Sequence, residues 1–262
     1  MKALPLLAVV LQILLVAAAA ADSQTNKDTQ GRNPPRQPPQ GFLYGLGISF
    51  NDEIYKGFSS DTNVIPIIGY MGERWQIFGP FISYHFYKTK KLTLSLKASP
   101  RFDDFDEDDS EFFRGMEDRK LSMDGGVGLS LEEGAWTFAL SAAHDLLDRS
   151  DGYEVDAGIN HKLRFGPVFF DTGLHIKYQD SDMVDYYYGV RTNEATPERP
   201  FYKGEKAINP SISFGVSTPI LLGGMTRLNF EYTWFDNAIT DSPLTEDDAS
   251  LGILMSYSRF FK

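Results

Sequence analysis

The chain has 262 residues, with 36 Asp plus Glu against 25 Lys plus Arg and a formal net charge of −11. That acidic balance disfavours a nucleic-acid partner, because phosphate backbones are held by clustered cations. No cysteine is present, which excludes a small disulfide-stapled secreted domain and leaves a large core or a bilayer as the stabilising environment.

Residues 1–21 (MKALPLLAVVLQILLVAAAAA) read as a signal peptide: Lys2, an apolar run from Leu4 to Val16, then small residues offering cleavage after Ala20 or Ala21. No cysteine follows the apolar run, so lipoprotein anchoring is not expected, and loss of Lys2 makes the exported chain one charge more negative. Residues 22–40 hold four prolines and no large apolar side chain, the composition of a flexible periplasmic leader. Past the signal peptide no apolar run is long enough for a spanning helix, so any membrane crossing must be made by strands.

From Gly41 onward the hydrophobic period is two. Leu92, Leu94, Leu96 and Ala98 oppose Thr93, Ser95, Lys97 and Ser99; Leu228, Phe230, Tyr232 and Trp234 oppose Arg227, Asn229, Glu231 and Thr233. The same pattern recurs around Phe138, Leu174, Phe214 and Ile253. A soluble sandwich also alternates. Three further features favour a transmembrane barrel: strands of ten or more residues, aromatics near strand ends, and connections that alternate short and long from residue 88 to the C-terminus. The expected fold is therefore all-β, an antiparallel transmembrane β-barrel over 41–262 with short periplasmic turns and long extracellular loops. Residues 62–79 (TNVIPIIGYMGERWQIFG) form either two wall strands, giving twelve in total, or a folded loop, giving ten; twelve is favoured. The terminal YSRFFK nearly reproduces the aromatic end read by the outer-membrane assembly machinery, with Lys262 as a departure.

Several segments carry a resemblance: IPIIGYMGERW at 65–75, DDSEFFRGMEDRKLSMDGGVGLS at 108–130 with its RGMEDR core, YYYGV at 186–190, FYKGEKAINPSISFGVS, and DSPLTEDDASLGILMSYSRF near the end. Together they resemble the MipA/OmpV family of outer-membrane proteins, named for an MltA-interacting protein. The resemblance covers the chain after the leader. It implies an outer-membrane location and a scaffold that brings a lytic transglycosylase together with a bifunctional peptidoglycan synthase, although some members look like adhesins or porins. It implies no catalytic residues and no cofactor.

Read from the residues alone, chemistry is sparse. The acidic run 103–111 offers Asp104, Asp106 and Asp108 as cation contacts in an external loop, beside lipopolysaccharide-bridging ions. It fails as an EF-hand, since Asp109 stands where Gly is needed and Gly115 where the bidentate Glu is needed. Arg114, Gly115, Met116, Glu117, Asp118 and Arg119 read as a structural junction between loop and strand, with Glu117 and Arg119 on one face. Lys97, Asp124, Asp171, Lys177, Arg227 and Glu231 are expected to point into the lumen, with Glu154, Asp156 and Lys162, lining a pore or cross-linking a plug. Of four histidines only His144, beside Asp145, sits where a rim catalyst could; no metal or catalytic site is expected. The expected surroundings are outer-membrane lipid and lipopolysaccharide.

Overall fold

The structure, a computed structural model, describes residues 39–58, 61–219 and 221–261. The expected signal peptide and most of the expected leader, residues 1–38, lie outside these residues, as does Lys262.

Twelve strands run up and down in chain order: β1 (Gly41–Asn51), β2 (Asp61–Met71), β3 (Trp75–Phe78), β4 (Phe81–Lys88), β5 (Leu92–Arg101), β6 (Ser122–Glu133), β7 (Trp136–Asp145), β8 (Tyr153–Phe165), β9 (Val168–Gln179), β10 (Ala207–Thr218), β11 (Met225–Trp234) and β12 (Ala249–Phe260). Every strand pairs antiparallel with its neighbour in sequence, and β1 pairs with β12, so the sheet closes into a barrel without edges at the seam. The 62–79 segment is wall, divided between β2 and β3, and the count is twelve. No helix is long and apolar enough to cross a membrane among the described residues.

Cross-strand partners share a face of the sheet, so the register sorts each strand. Leu129, Leu140, Ala157, Ile176 and Ile212 form one outward band with Phe138, Ile159 and Leu174, and many of these apolar side chains are exposed. In water such a surface would aggregate; in a bilayer it is the required one. The inward set alternates with it. Gly45, Gly126 and Gly69 sit where an added Cβ would lie 1.9, 2.1 and 2.3 Å from a neighbouring backbone oxygen, so the wall tolerates no side chain there.

Two-residue turns built on Gly134 (φ +63°) and Gly166 (φ +56°) close two hairpins at one end, joined there by connections 72–74, 89–91 and 219–224. The other end carries 52–60, 102–121, 146–152, 180–206 and 235–248. One connection at that end breaks the pattern: β3 and β4 meet in a tight turn at Gly79 (φ +56°) and Pro80, far below the rim.

Candidate functional site: a capped loop end over a charged lumen

The three connections 52–60, 102–121 and 180–206 leave the ring after β1, β5 and β9, at thirds of a twelve-strand circle. They nevertheless touch one another, so they must meet over the barrel axis. Tyr55 is the hub. Its ring stacks on Tyr188 at 5.5 Å and meets Phe105 and Phe113 edge-on, at 5.3 and 5.8 Å between centroids. Its hydroxyl donates toward the Tyr187 and Asp103 carbonyls, at 3.2 and 3.4 Å. Burial, with neighbouring Tyr188 and Asp103 behind it, pushes the Tyr55 hydroxyl well above its ordinary pKa. Met116, Val190, Ile239 and Leu244 complete an apolar core, to which the short helices α1 (Ser181–Tyr188) and α2 (Asn237–Thr240) contribute. Asp180 caps α1 by accepting from Met183 N–H, and Asp236 caps α2 by accepting from Ala238 N–H.

Within this cap the RGMEDR segment divides its labour. Arg119 is fully buried and donates to both oxygens of Glu194, at 3.0 and 2.9 Å, and to the carbonyls of Tyr186 and Glu117, each at 2.6 Å. Glu194 also accepts from the N–H groups of Glu117 and Arg191, at 3.0 and 2.9 Å. Burial would raise its pKa, but the Arg119 guanidinium and those two N–H groups outweigh it and hold the carboxyl down at about 2. Arg199 spans the same two loops, donating to the carbonyls of Glu194, Phe112 and Arg114. Glu117 does not pair with Arg119 as its spacing predicts; it pairs with Arg191, so both members of that pair take partners from 180–206. Met116 is core, Asp118 accepts from Glu107 N–H, Gly115 takes φ +80°, and Arg114 is exposed near Glu111.

The acidic run is used locally. Asp109 accepts from Asp106 N–H at 2.7 Å, and burial followed by the charges of Asp103, Asp106 and Asp109 raises the Asp104 carboxyl. Asp104, Asp106 and Asp108 are not gathered around a common point: no group of three acidic or histidine side chains suits a metal ion among the described residues. His144 and Asp145 also separate. His144 lies on the outward face with Gly125, whereas Asp145 turns in and is occupied by Ser122 Oγ and the N–H groups of Leu147, Arg149 and Ser150. The Asp145 carboxylate is thus the cap of the 146–152 connection, and only its backbone carbonyl contacts His144 Nδ1, at 2.8 Å.

Below the cap, the register puts Lys97, Asp124, Asp171, Lys177, Arg227 and Glu231 on the inward face, with Glu154, Asp156, Lys162 and His175. Arg101, which the sequence reading does not single out although it continues the Lys97, Ser99 alternation, is the hub. It donates to Asp103 (3.0 Å), Asp124 (2.6 Å) and Glu154 (3.0 Å), and Lys177 lies 3.8 Å from Glu154. Lower down, His175 contacts Asp156 and Asn160, each at 3.2 Å, and Lys162 pairs with Asp171 at 3.4 Å. These groups line the β5 to β11 side only. On β12, β1, β2, β3 and β4 the inward positions mix apolar residues (Leu254, Leu43, Ile65, Ile67, Phe78 and Phe81) with small or neutral polar ones (Ser256, Ser258, Ser49, Gln76 and Ser83) and His85. The lumen has a charged wall and a wall of mixed apolar and neutral polar residues.

A closed up-and-down ring with an apolar outer band, a polar inner wall and short turns opposite long loops defines an outer-membrane β-barrel. The sequence model of the family described as "MltA-interacting protein MipA" matches residues 44–261, and the chain belongs to that family. Its relatives include the putative outer membrane protein YiaT of Escherichia coli K12, 28% identical over 82% of this chain and 88% of the relative. The outer membrane protein Omp26La of Vibrio anguillarum is 25% identical over 77% and 79%, and the MltA-interacting protein of E. coli K12 is 24% identical over 78% and 84%. Among solved structures the chain is similar to the outer membrane protein OprD from Pseudomonas aeruginosa, 11% identical, with a TM-score of 0.35 over 88% of this chain and 73% of that one; the likeness is too loose to assign any residue.

Proposed function

We propose that this barrel is a non-catalytic scaffold, holding peptidoglycan-remodelling enzymes at the periplasmic side of the outer membrane: a lytic transglycosylase and a bifunctional peptidoglycan synthase. The observation that carries the reading is membership, along nearly the whole barrel, of a family named for interaction with MltA. The cap supports it, since loops meeting over the axis suit an anchor better than a freely conducting pore. By the rule for such barrels the short turns face the periplasm, and lipopolysaccharide surrounds the loop end. The turns at 72–74, 89–91, 134–135 and 166–167 offer little surface, so the proline-rich leader at 22–40 supplies part of the contact. The aromatic end of β12 is what the assembly machinery reads.

The test is capture from detergent-solubilised envelopes on the refolded full-length barrel, against an unrelated barrel as control. Specific recovery of a lytic transglycosylase or a peptidoglycan synthase, reduced when 22–40 is removed, is expected; recovery of neither overturns the reading. A narrow channel for small solutes is the second reading, favoured by the charged lumen wall. It requires steady conductance steps in planar bilayers, and silence at saturating protein removes it.

A further inference from the structure

The β3–β4 hairpin does not reach the loop end, and this leaves a notch in the wall. β2 pairs with β3 only through Gly69, Tyr70 and Met71, so from Val64 to Ile68 no strand pairs with that side of β2 among the described residues. β5 pairs with β4 as far as Ala98 and runs on to Arg101. The opening is a wedge, deep along β2 and shallow along β5. At the ordinary strand spacing the two flanking strands stand roughly 14 Å apart across it, three spacings of about 4.8 Å.

Proline occupies all three sides of this wedge. The Ile68 carbonyl accepts from Gly79 N–H at 2.8 Å, so even-numbered residues of β2 direct their backbone groups toward the notch, and Pro66 is one of them. The Lys91 carbonyl accepts from Glu132 N–H on the β6 side at 2.7 Å, so the even residues of β5 face the other way, and Pro100 faces the notch. Pro80 stands at the hairpin tip. Each removes an N–H donor where an added strand would need one, as prolines do on protected edges. The notch is thereby a poor template for another β-strand, whether from a partner or from a second copy.

What it adjoins is apolar inside and out. Val64 and Ile68 are 67% and 70% exposed on the outer face. Ile65 and Ile67 line the lumen side of the same strand, Gly47 lies in contact reach of Ile65 and Leu254, and Phe78 and Phe81 face inward at the hairpin tip. Apolar side chains therefore flank the notch on both faces, Val64 and Ile68 toward the bilayer and Ile65, Ile67, Phe78 and Phe81 toward the lumen. Opposite Ser83 on the lumen side stands Lys97, an exposed cation with no ion-pair partner among the described residues. An opening flanked by apolar side chains, with an uncompensated ammonium on its lumen side, is complementary to one chemistry.

We propose that the notch between β2 and β5 is a side portal, through which a single-chain anionic amphiphile of fatty-acid type passes between the outer leaflet and the lumen, its chain on Ile65, Ile67, Leu254 and Phe81 and its head at Lys97. With the 52–60, 102–121 and 180–206 connections meeting over the axis, an opening in the wall offers a route between the bilayer and the lumen that does not pass between them. Passage involves no covalent step and is independent of the scaffold reading.

The chain has no cysteine, so Ile65→Cys can be labelled alone with a bimane fluorophore. Ser213→Cys, lumen-facing on the opposite wall, is the control, and folding of each is read from heat-modifiable gel migration. In dimyristoyl phosphatidylcholine vesicles containing a chain-nitroxide phosphatidylcholine, bimane at 65 is expected to be quenched and bimane at 213 is not. Dodecanoate should relieve that quenching saturably. Ile67→Asp should weaken dodecanoate at least about tenfold, about 1.4 kcal/mol. Lys97→Gln should weaken dodecanoate and leave dodecanol unchanged. If Ile65→Cys does not fold, Ile67→Cys takes its place, with Leu254→Asp as the weakening variant. Equal quenching at the two walls overturns the proposal. So does dodecanoate binding insensitive to both variants, or shielding of position 65 that depends on protein concentration and marks a second copy instead.

Discussion

The two ends of the barrel hold themselves together by opposite means. At the turn end the hairpins at Gly134 and Gly166 close locally at positive φ, and neighbouring turns are linked by solvated pairs such as Lys91 with Glu133, each 63% exposed. At the loop end the short 146–152 connection is closed locally by Asp145, but the three connections of the cap hold through one another: Tyr55 against Phe105, Phe113 and Tyr188, and Arg119 against Glu194 with both side chains fully buried. Surface pairs in water are worth little, whereas a buried charge that loses its partner is costly. Local closure thus makes an end that is robust residue by residue, and shared closure makes one that stands or falls as a unit.

The largest effect should come from breaking the shared end at its charge pair. Arg119→Ala leaves Glu194 buried and uncompensated, a loss of about 3–5 kcal/mol, read as faster amide exchange throughout 102–121 and 180–206 while β6 to β11 stay protected. Exchange that changes only beside residue 119 would mean that the loops are not one unit. Tyr55→Ala should cost about 3–5 kcal/mol by the same readout. Tyr55→Phe, which keeps the ring and drops the hydroxyl contacts, should cost only about 1 kcal/mol.

Acid should separate the two ends more gently. Glu194 is held at about 2 in the folded cap and titrates near 4.3 when unfolded. A depressed carboxylate contributes its full stabilisation above the unfolded value and loses it as pH falls through the folded one. The cap should therefore loosen between about pH 4.3 and pH 2, ahead of the strands, in exchange measured at graded pH; Glu194→Gln should flatten that dependence. The smallest effect belongs to the turn end: Lys91→Ala should change stability by less than about 1 kcal/mol in urea titrations of the folded barrel.

The ring was legible in the sequence because a barrel wall is written at period two, and the inward charges from Lys97 to Glu231 could be placed by alternation alone. The cap was not, although its key segment drew attention. Arg119 stands in a recognisable motif, but its partner Glu194 comes from another loop, and nothing local in either segment encodes the pairing. Tyr55, Phe113 and Tyr187 obey no period, since loop cores are assembled from single residues rather than faces. β3 is four residues long, too short to show alternation, and the depth of its turn follows from pairing with β2 and β4. For the same reason Pro66 and Pro100, read singly, look like ordinary strand interruptions; only the register shows that they flank one gap.

The seam has a kinetic consequence. Leu43 pairs with Phe260, so the ring cannot close until the final residues of β12 are in place, and that contact carries nearly the longest separation the chain allows, the slowest kind to form. Closure there is helped by what is missing: Gly45 and Gly47 meet Ser258 and Ser256 with almost no side chain to sort. A nascent barrel would wait as an open, curled sheet and then zip in one step. A chain lacking its last dozen residues should accumulate as that open form rather than as an eleven-stranded barrel.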